Sequence, residues 1–409
     1  MNIVIINRRF YGWNWDNRYT NYYGVIDHRS NQVFYVVDGK SILGLHLNEK
    51  MSSQIIELES LNDIKSVKQA VRDINLRTPV DRIVALNEED ILIASELRDE
   101  LNILGDREKD VNKFRNKMLM KRILKQHGIA IPAFTSASNV DEIIEKFGFP
   151  VVLKPLDGAC SRGVKICLSQ TMLDKDIAEI NEQLDNYEAE QFIDGNIFHL
   201  DGFMAGGNLI FCQVHQYYNS CYAFANGIPV GVMMMDDTND QQIELKSFAK
   251  NSLNALGLHL GAFHLELFID SHQNILFLEV GSRVGGAFFA QCIEKRWGVN
   301  LFEESIRLQI YGNLDINKLK HAKAQDKLYG WLLFPIPDCA DCYVKSISYP
   351  TKNKLPNILN VMHPIIGAKI DKTGGYIHTA GAFLFEGYSQ NELLQTIEYL
   401  IKEYTIRYF

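Results

Sequence analysis

The sequence predicts a protein of several domains with α/β and α+β architecture. Its 409 residues, 46% of them apolar, exceed what one hydrophobic core usually organises, so two or three domains are expected. Strand and helix patterns alternate in residues 1–105, whereas residues 326–409 carry several β-type runs before a terminal amphipathic helix. We therefore place an N-terminal α/β domain at 1–105, a central domain at 106–325 and a small α+β domain at 326–409.

The first domain is expected to contain a mostly parallel sheet. Short apolar runs rich in β-branched residues predict buried strands at 2–6, 32–37 and 83–86. Apolar residues then recur at helical spacing over 91–101, and such alternation of strand and helix is typical of a parallel sheet. No GxGxxG motif follows the first strand, so we expect no dinucleotide site there.

The composition argues against several classes of protein. A formal net charge of −8 and a pI near 5.8 provide no basic field for nucleic acid. The first residues lack the apolar core and cleavage site of a signal peptide, and no apolar run is long enough to cross a bilayer. Seven scattered cysteines do not suggest a disulfide framework, and we interpret Cys339 and Cys342 as an incidental CxxC pair. We expect a cytoplasmic protein without nucleic-acid or membrane partners.

A glycine-containing loop follows a strand that carries Lys154. In PVVLKPLDGACSRGVKICL, the spacing of Gly158 and Gly163 imitates a P-loop, but the next residues form a strand-like run rather than a helix. We therefore predict a hairpin whose backbone N–H groups, together with Ser161, wrap a polyphosphate. A buried Lys154 would need an anionic partner, which a phosphate would supply. The alternative is an ordinary surface hairpin with a glycine turn.

Two glutamates occupy a second predicted hairpin, in GAFHLELFIDSHQNILFLEVG. Glu266 and Glu279 are an odd number of residues apart, so a hairpin with a two-residue loop at His272 and Gln273 would place them opposite each other on one face. Facing carboxylates repel and favour a cation between them, and beside a polyphosphate that cation is expected to be Mg²⁺. The alternative is a solvent-exposed hairpin with a polar face, which does not explain why Glu279 lies in an apolar strand.

A glycine-rich segment, GSRVGG, follows the second glutamate and precedes the helical pattern AFFAQCIEKRW. Its Arg283 can point a guanidinium into the space beside Glu279 and bind a phosphate or an oxyanion bidentately. His264 lies on the same strand face as Glu266. We consider His264 either a general base or a supporting histidine.

Three segments occur in an order that resembles the ATP-grasp ligase superfamily over residues 80–312. They are the glycine hairpin, the strand and turn YEAEQFIDG, and the two-glutamate hairpin, preceded by a helix that begins near FRNKM. The resemblance implies an ATP-grasp fold after a Rossmann-like pre-ATP-grasp domain, with bound ATP and one or two Mg²⁺ ions. It also implies phosphate contacts by Lys117 and Lys154, a closing loop at Gly158, Ser161, Arg162 and Gly163, an adenine hinge at Glu190, Gln191, Phe192 and Ile193, Mg²⁺ ligation by Glu266 and Glu279, and stabilisation of the acyl centre by Arg283.

Within this superfamily the chain is most similar to the bacilysin-type L-amino acid ligases, including its C-terminal segment. Two positions depart from the superfamily pattern. Gly281 stands where the usual Glu-x-Asn metal pair has its asparagine. Ile197 stands where many members carry a glutamate after the hinge glycine, which leaves the ribose contact without its usual residue.

The resemblance implies a carboxylate–amine ligase that forms a dipeptide-like amide bond through an acylphosphate and releases ADP and phosphate. Its implied partners are small-molecule carboxylate and amine substrates, which by analogy with the branch are amino acids, and a homodimer is expected from the family. Alternatives are loading of an amino acid onto a carrier-protein thiol, phosphate transfer to a stable hydroxyl, and a non-catalytic ATP-binding module. Both carboxylates and Arg283 are present, which favours catalysis over the last of these.

Overall fold

The computed structural model describes residues 1–8, 20–39, 41–45, 53–159, 161–237, 240–337, 342–350, 355, 357–370 and 379–409. Its N-terminal region contains a parallel sheet in the order β3-β2-β1-β4, which confirms the predicted parallel arrangement. The strands are β1 (Asn2–Ile6), β2 (Gln32–Asp38), β3 (Ser53–Leu58) and β4 (Arg82–Ala85). The helices are α1 (Tyr22–Val25), α2 (Ile64–Arg77), α3 (Glu88–Glu100) and α4 (Glu108–Val111), with 3₁₀ turns at Ser41–Gly44 and Asn112–Phe114.

A second, smaller sheet carries the glycine hairpin. Its order is β5-β8-β6-β7, and each neighbouring pair is antiparallel. Helix α5 (Lys117–Gln126) precedes β5 (Phe134–Ser136), α6 (Val140–Phe147), β6 (Val151–Pro155), β7 (Lys165–Cys167), α7 (Gln170–Ile180), a 3₁₀ turn (Asn181–Asn186) and β8 (Tyr187–Gln191). Because β6 pairs directly with β7, the predicted hairpin is confirmed.

The large sheet has eight antiparallel strands in the described part of the chain, in the order β13-β12-β9-β10-β11-β14-β17-β16. Gly206 and Gly207, both with positive φ, form the two-residue turn between β9 and β10, as the twist of a tight hairpin requires. The strands are β9 (Gly195–Ala205), β10 (Asn208–Tyr217), β11 (Val230–Met234), β12 (Leu260–Asp270), β13 (Ile275–Gly281), β14 (Leu328–Phe334), β16 (Ile358–Met362) and β17 (Gly381–Gly387). A separate pair joins β15 (Val344–Ser348) and β18 (Thr405–Tyr408).

Helices cover the faces of this sheet. Asn300 caps one of them by accepting hydrogen bonds from the Phe302 and Glu303 N–H groups, and Gly312 ends the same helix in the left-handed conformation. The helices are α8 (Cys221–Ala225), α9 (Gln241–Leu256), α10 (Phe289–Trp297), α11 (Leu301–Tyr311), α12 (Ile316–Lys320) and α13 (Gln390–Glu403).

The C-terminal strands extend the large sheet. β14 pairs with β11, and β17 pairs with β14, so strands on both sides of residue 326 share one hydrogen-bonded sheet and one apolar core. Trp331 and Phe383 lie in that core. The division at residues 105 and 325 stays a prediction.

Two further observations concern the cysteines and the membrane. Cys342 is disulfide-bonded, which the interpretation of the CxxC pair as incidental did not anticipate, and Cys339 lies outside the described residues. No helix within the described ranges is both long and apolar enough to span a bilayer.

Candidate active site

The two predicted metal-binding glutamates face each other across β12 and β13. Glu266 is the register partner of Glu279, as the spacing argument predicted. The loop differs from the prediction: Asp270 N–H donates to the Asn274 carbonyl, which encloses three residues rather than two. A β-bulge after Glu266 shifts the register by one residue and brings the glutamates opposite each other despite the odd loop.

Glu266 is fixed from two sides. The Tyr217 hydroxyl donates to Glu266 Oε1 at 2.8 Å, and His264 Nε2 lies 3.4 Å from the same oxygen. Burial raises the pKa of Glu266, but His264 and Tyr217 lower it overall, so the carboxylate stays ionised. An ionised, oriented carboxylate is the donor type that Mg²⁺ prefers. Glu279 is more open, with 35% of its side chain exposed.

A cluster of buried charges lies on the glycine-hairpin sheet. Lys154 Nζ on β6 is 2.8 Å from Glu190 Oε1 on β8. Lys121 on α5 contacts Glu188 at 2.6 Å and also pairs with Glu190. Burial lowers the pKa of Lys154, but Glu190 and Glu188 raise it overall, so the ammonium stays charged. In the structure, the anionic partner that was predicted for Lys154 is therefore a carboxylate.

Lys117 connects the glycine loop to the glutamate pair. It is the first residue of α5, which Asn116 caps by accepting from the Leu119 N–H. The Lys117 ammonium donates to the Gly158 carbonyl at 2.7 Å and lies 3.2 Å from Glu279 Oε2. One cation thus contacts both the candidate phosphate loop and a candidate metal ligand.

A cavity of about 230 Å³ lies between the small sheet and the large one and is lined by residues of both. Gly163 and Gln191 are described but do not belong to its lining. The lining brings together the other predicted ATP and metal residues, namely Lys117, Lys154, Gly158, Ser161, Arg162, Glu190, Phe192, Ile193, Glu266 and Glu279.

Arg283 lines a second cavity of about 120 Å³ that shares Lys117, Glu266 and Glu279 with the first. The two cavities are therefore contiguous. Apolar side chains contribute much of the remaining lining of the second cavity, including Phe114, Met120, Phe289 and Trp331.

Arg283 is held by a carboxylate from the N-terminal region. Its Nε lies 2.5 Å from Glu88 Oε2, and Glu88 also pairs with Arg115. Burial raises the pKa of the Glu88 carboxyl, but Arg283 and Arg115 lower it further, to about 2. The first turn of α3 thus carries an anion that orients two arginines at the cavity.

Sequence reasoning missed Glu88, Lys121 and Tyr217. A signal existed for Lys121, since it lies one helical turn after Lys117 on the same face of α5. Glu188 likewise shares a strand face with Glu190. For Glu88 no local signal existed, because its partner Arg283 is 195 residues away.

A group of histidines lies beside Glu266 on the same face of the large sheet. Asp201 on β9 accepts from His199 Nδ1 and from His264 Nδ1, both at 2.8 Å. Burial lowers the pKa of His264, but Asp201 and Glu266 raise it to about 9. A protonated His264 faces two carboxylates and has no free lone pair, so it fits the role of a supporting histidine better than that of a general base. His215 stacks on His199 with ring centroids 4.6 Å apart.

Comparisons with known proteins identify a matching domain and similar proteins. Residues 147–291 match a model of the ATP-grasp domain. An L-arginine-specific L-amino acid ligase of Bacillus subtilis is 25% identical over 274 residues, which cover 64% of this chain and 66% of that protein. Dapdiamide A synthase of Enterobacter agglomerans is 27% identical over 256 residues, which cover 57% of this chain and 59% of that protein. The chain thus matches less than two-thirds of the length of these curated relatives.

Solved structures show the same fold over the whole chain. The L-amino acid ligase from Bacillus licheniformis superposes with a TM-score of 0.76 at 19% identity and covers 100% of this chain and 98% of that one. Phosphoribosylglycinamide synthetase from Anaerococcus prevotii gives a TM-score of 0.67 at 18% identity, with 99% of each chain covered. The domain match, the curated relatives and the shared fold confirm the resemblance: residues 147–291 match the ATP-grasp domain, and L-amino acid ligases are among the proteins to which the chain is similar.

Proposed function

We propose that the chain is an ATP-dependent carboxylate–amine ligase that joins amino-acid-type substrates through an acylphosphate, with release of ADP and phosphate. The observation that carries this proposal is the convergence of Glu266, Glu279, Lys117 and Arg283 on two contiguous cavities. One cavity suits the nucleotide, and the other suits the reacting carboxylate and amine. Amino acids as substrates follow from the L-amino acid ligases among the relatives.

The nucleotide fits the larger cavity with its base at the end of β8. There the chain from Glu190 to Ile193 passes from a strand into an irregular connection, and Phe192 and Ile193 line the cavity. The phosphates would then extend towards Lys154, Lys117 and the loop after Gly158. Lysines and backbone N–H groups of such a loop suit polyphosphate oxygens.

Mg²⁺ fits the facing carboxylates of Glu266 and Glu279. Their donor atoms are hard oxygens beside the proposed phosphate path, and Tyr217 holds one of them in place. A bound Mg²⁺ ion would offset charge on the transferring phosphoryl group. Gly281 offers no side-chain ligand in place of the asparagine found in many members, so the two glutamates supply the side-chain oxygens.

The chemistry divides into two steps. A carboxylate oxygen of the first substrate attacks the γ-phosphorus of ATP, the bond to the β-phosphate oxygen breaks, and ADP leaves an acylphosphate. The amine of the second substrate then attacks the acyl carbon, loses a proton as the amide forms, and displaces phosphate. Arg283 would donate to the oxygen on which negative charge develops, because guanidinium does not lose its proton. Glu88 keeps that guanidinium oriented.

The test is release of ADP and phosphate with Mg²⁺ across single amino acids and pairs, comparing wild type, Glu279→Gln and the exposed control Glu244→Gln. Each single amino acid is also supplied with hydroxylamine, which traps an acylphosphate as a hydroxamate. Support would be release that depends on particular pairs, hydroxamate from one member of the pair, and loss of both in Glu279→Gln but not in Glu244→Gln.

Three results would overturn the proposal. A stable phosphorylated product without hydroxamate would indicate a kinase. Hydroxamate formation without any amide product, together with transfer to a carrier thiol, would indicate carrier loading. ATP binding without turnover in every combination would indicate a non-catalytic module.

A further inference from the structure

We propose that His199, Asp201, His215 and His264 form a binding site for a divalent transition-metal ion of the Zn²⁺ type, distinct from the glutamate pair. This inference is independent of the proposed ligase activity. It rests on the positions, burial and hydrogen bonding of these four side chains.

The four residues form a compact square on one face of the large sheet. His199 and Asp201 are two residues apart on β9 and therefore point to the same side. Across the sheet His199 is paired with His215 on β10, and Asp201 is paired with His264 on β12. Three adjacent strands thus place three imidazoles and one carboxylate at neighbouring positions, where side chains are in contact distance.

The donor atoms converge. One ligand atom each of His199, Asp201 and His264 lies within 4.8 Å of the others, and all three residues are buried. The Nδ1 atoms of His199 and His264 are 2.8 Å from Asp201 oxygens, and His215 Nδ1 is 3.9 Å from Asp201 Oδ2. Two ligands of one four-coordinate ion with bonds of about 2.1 Å lie about 3.4 Å apart. The observed separations bracket that value, so small side-chain movements would complete the site.

The histidines are poorly satisfied by the protein itself. Among the described residues, neither ring nitrogen of His215 has a hydrogen-bond partner, and neither does His199 Nε2. His199 and His215 are fully buried. His264 is protonated in the metal-free protein, so an ion bound at its Nδ1 would replace the proton that this atom donates to Asp201. Buried nitrogens without hydrogen-bond partners cost folding free energy, and a bound ion would coordinate His215 Nδ1, which faces Asp201.

The donor set selects the class of ion. Three imidazole nitrogens and one carboxylate suit Zn²⁺, Co²⁺ or Ni²⁺, whereas Mg²⁺ prefers oxygen ligands. His264 also has the outer partner typical of a metal-bound histidine, since its Nε2 lies 3.4 Å from Glu266 Oε1. An ion at this site would therefore be linked through His264 to one of the proposed Mg²⁺ ligands.

The experiment uses untagged full-length protein stripped with a chelator. Zn²⁺ affinity is measured by competition with a chromophoric chelator in excess Mg²⁺, metal content is measured after dialysis, and Co²⁺ is added to record its visible d–d absorption. The variants are His199→Gln and His215→Gln, and the controls are His259→Gln and His272→Gln, whose side chains are exposed. Urea unfolding of each variant establishes that it folds.

Wild type is expected to retain one equivalent of Zn²⁺ that excess Mg²⁺ does not displace, and Co²⁺ is expected to give the strong absorption of a four-coordinate site. Each site variant is expected to lose at least about 100-fold in Zn²⁺ affinity, more than is typical for loss of an outer-shell partner, and the controls to lose none. The proposal would be overturned if the wild-type protein retained no Zn²⁺ and gave no Co²⁺ band. The four side chains would then form only an Asp–His ion-pair network. Equal affinity in a folded His199→Gln or His215→Gln variant would do the same.

Discussion

The ion pairs of Glu88 with Arg283 and Arg115 connect the N-terminal region to the candidate active site. The variant Glu88→Gln tests how much these ion pairs contribute to the free energy of unfolding. The Glu88 side chain is 11% exposed, and those of Arg283 and Arg115 are 20% and 12% exposed. Solvent screening is therefore weak. Replacing the carboxylate by an amide keeps the shape but removes the anion that two partly buried guanidinium groups share.

The magnitude follows from the pKa of Glu88, which falls from 4.5 to about 2 on folding. At about 1.4 kcal/mol for each pKa unit, this difference corresponds to about 3 kcal/mol of stability at pH 7. Because the folded pKa is depressed, the contribution is fully present above pH 4.5 and is lost as the pH falls towards 2. Near pH 3 about half of it should remain.

The assay is urea unfolding of wild type, Glu88→Gln and Glu89→Gln between pH 7 and pH 3. Glu89 is the matched control, because it pairs with Arg162 on the surface, where the two side chains are 42% and 65% exposed. Its loss should cost less than about 1 kcal/mol at every pH. The reasoning would be refuted if both variants lost the same stability, or if the deficit of Glu88→Gln did not shrink as the pH is lowered.

Three further predictions concern other parts of the site and its sheet. Lys121→Met leaves the buried Glu188 carboxylate without its cation, while Glu190 keeps Lys154, and should cost about 3–5 kcal/mol of stability, measured by urea unfolding. Tyr217→Phe removes the hydrogen bond to Glu266 and should raise the Mg²⁺ concentration needed for half-maximal ADP release about 10-fold, with a smaller change in kcat. Gly202→Ala places a Cβ 2.0 Å from the Phe211 carbonyl oxygen, so β9 and β10 must separate, and thermal unfolding should show a large loss of stability or no folded protein.

Each of these predictions has a control variant. Lys125→Met changes an exposed lysine of α5 and should leave stability within about 0.5 kcal/mol of wild type. Tyr218→Phe should leave the Mg²⁺ requirement unchanged. Gly286→Ala adds a Cβ that meets nothing within 4 Å, so its stability should stay near that of wild type. Equal effects in a variant and its control would contradict the corresponding mechanism.

Local pattern was sufficient for most of the secondary structure and for the glutamate pair. The strands at Asn2–Ile6 and Gln32–Asp38 depend on runs of apolar, β-branched residues, which act over a few residues. The pairing of Glu266 with Glu279 was predicted correctly from parity, although the assumed loop was one residue too short. A bulge corrected the register, and no sequence pattern marks that bulge.

Contacts between segments that are far apart in the sequence could not be predicted from local patterns. The carboxylate partner of Arg283 is Glu88, at the start of α3. All strands of the small sheet lie between these two residues in the sequence. The histidine cluster assembles from β9, β10 and β12, whose order in the sheet differs from their order in the sequence. Only His264 was singled out from sequence, because it stands two residues from Glu266.

The contact between Lys117 and Glu279 has a thermodynamic consequence under the proposed assignment. The Lys117 ammonium is 3.2 Å from the Glu279 carboxylate that would ligate Mg²⁺. Lys117 therefore cannot bind phosphate and neutralise Glu279 at the same time. When phosphate oxygens bind Lys117, the Glu279 carboxylate loses its neutralising cation. A divalent cation can then take that place. Occupancy by nucleotide and by cation should therefore be mutually reinforcing, with each increasing the affinity of the other by the same factor.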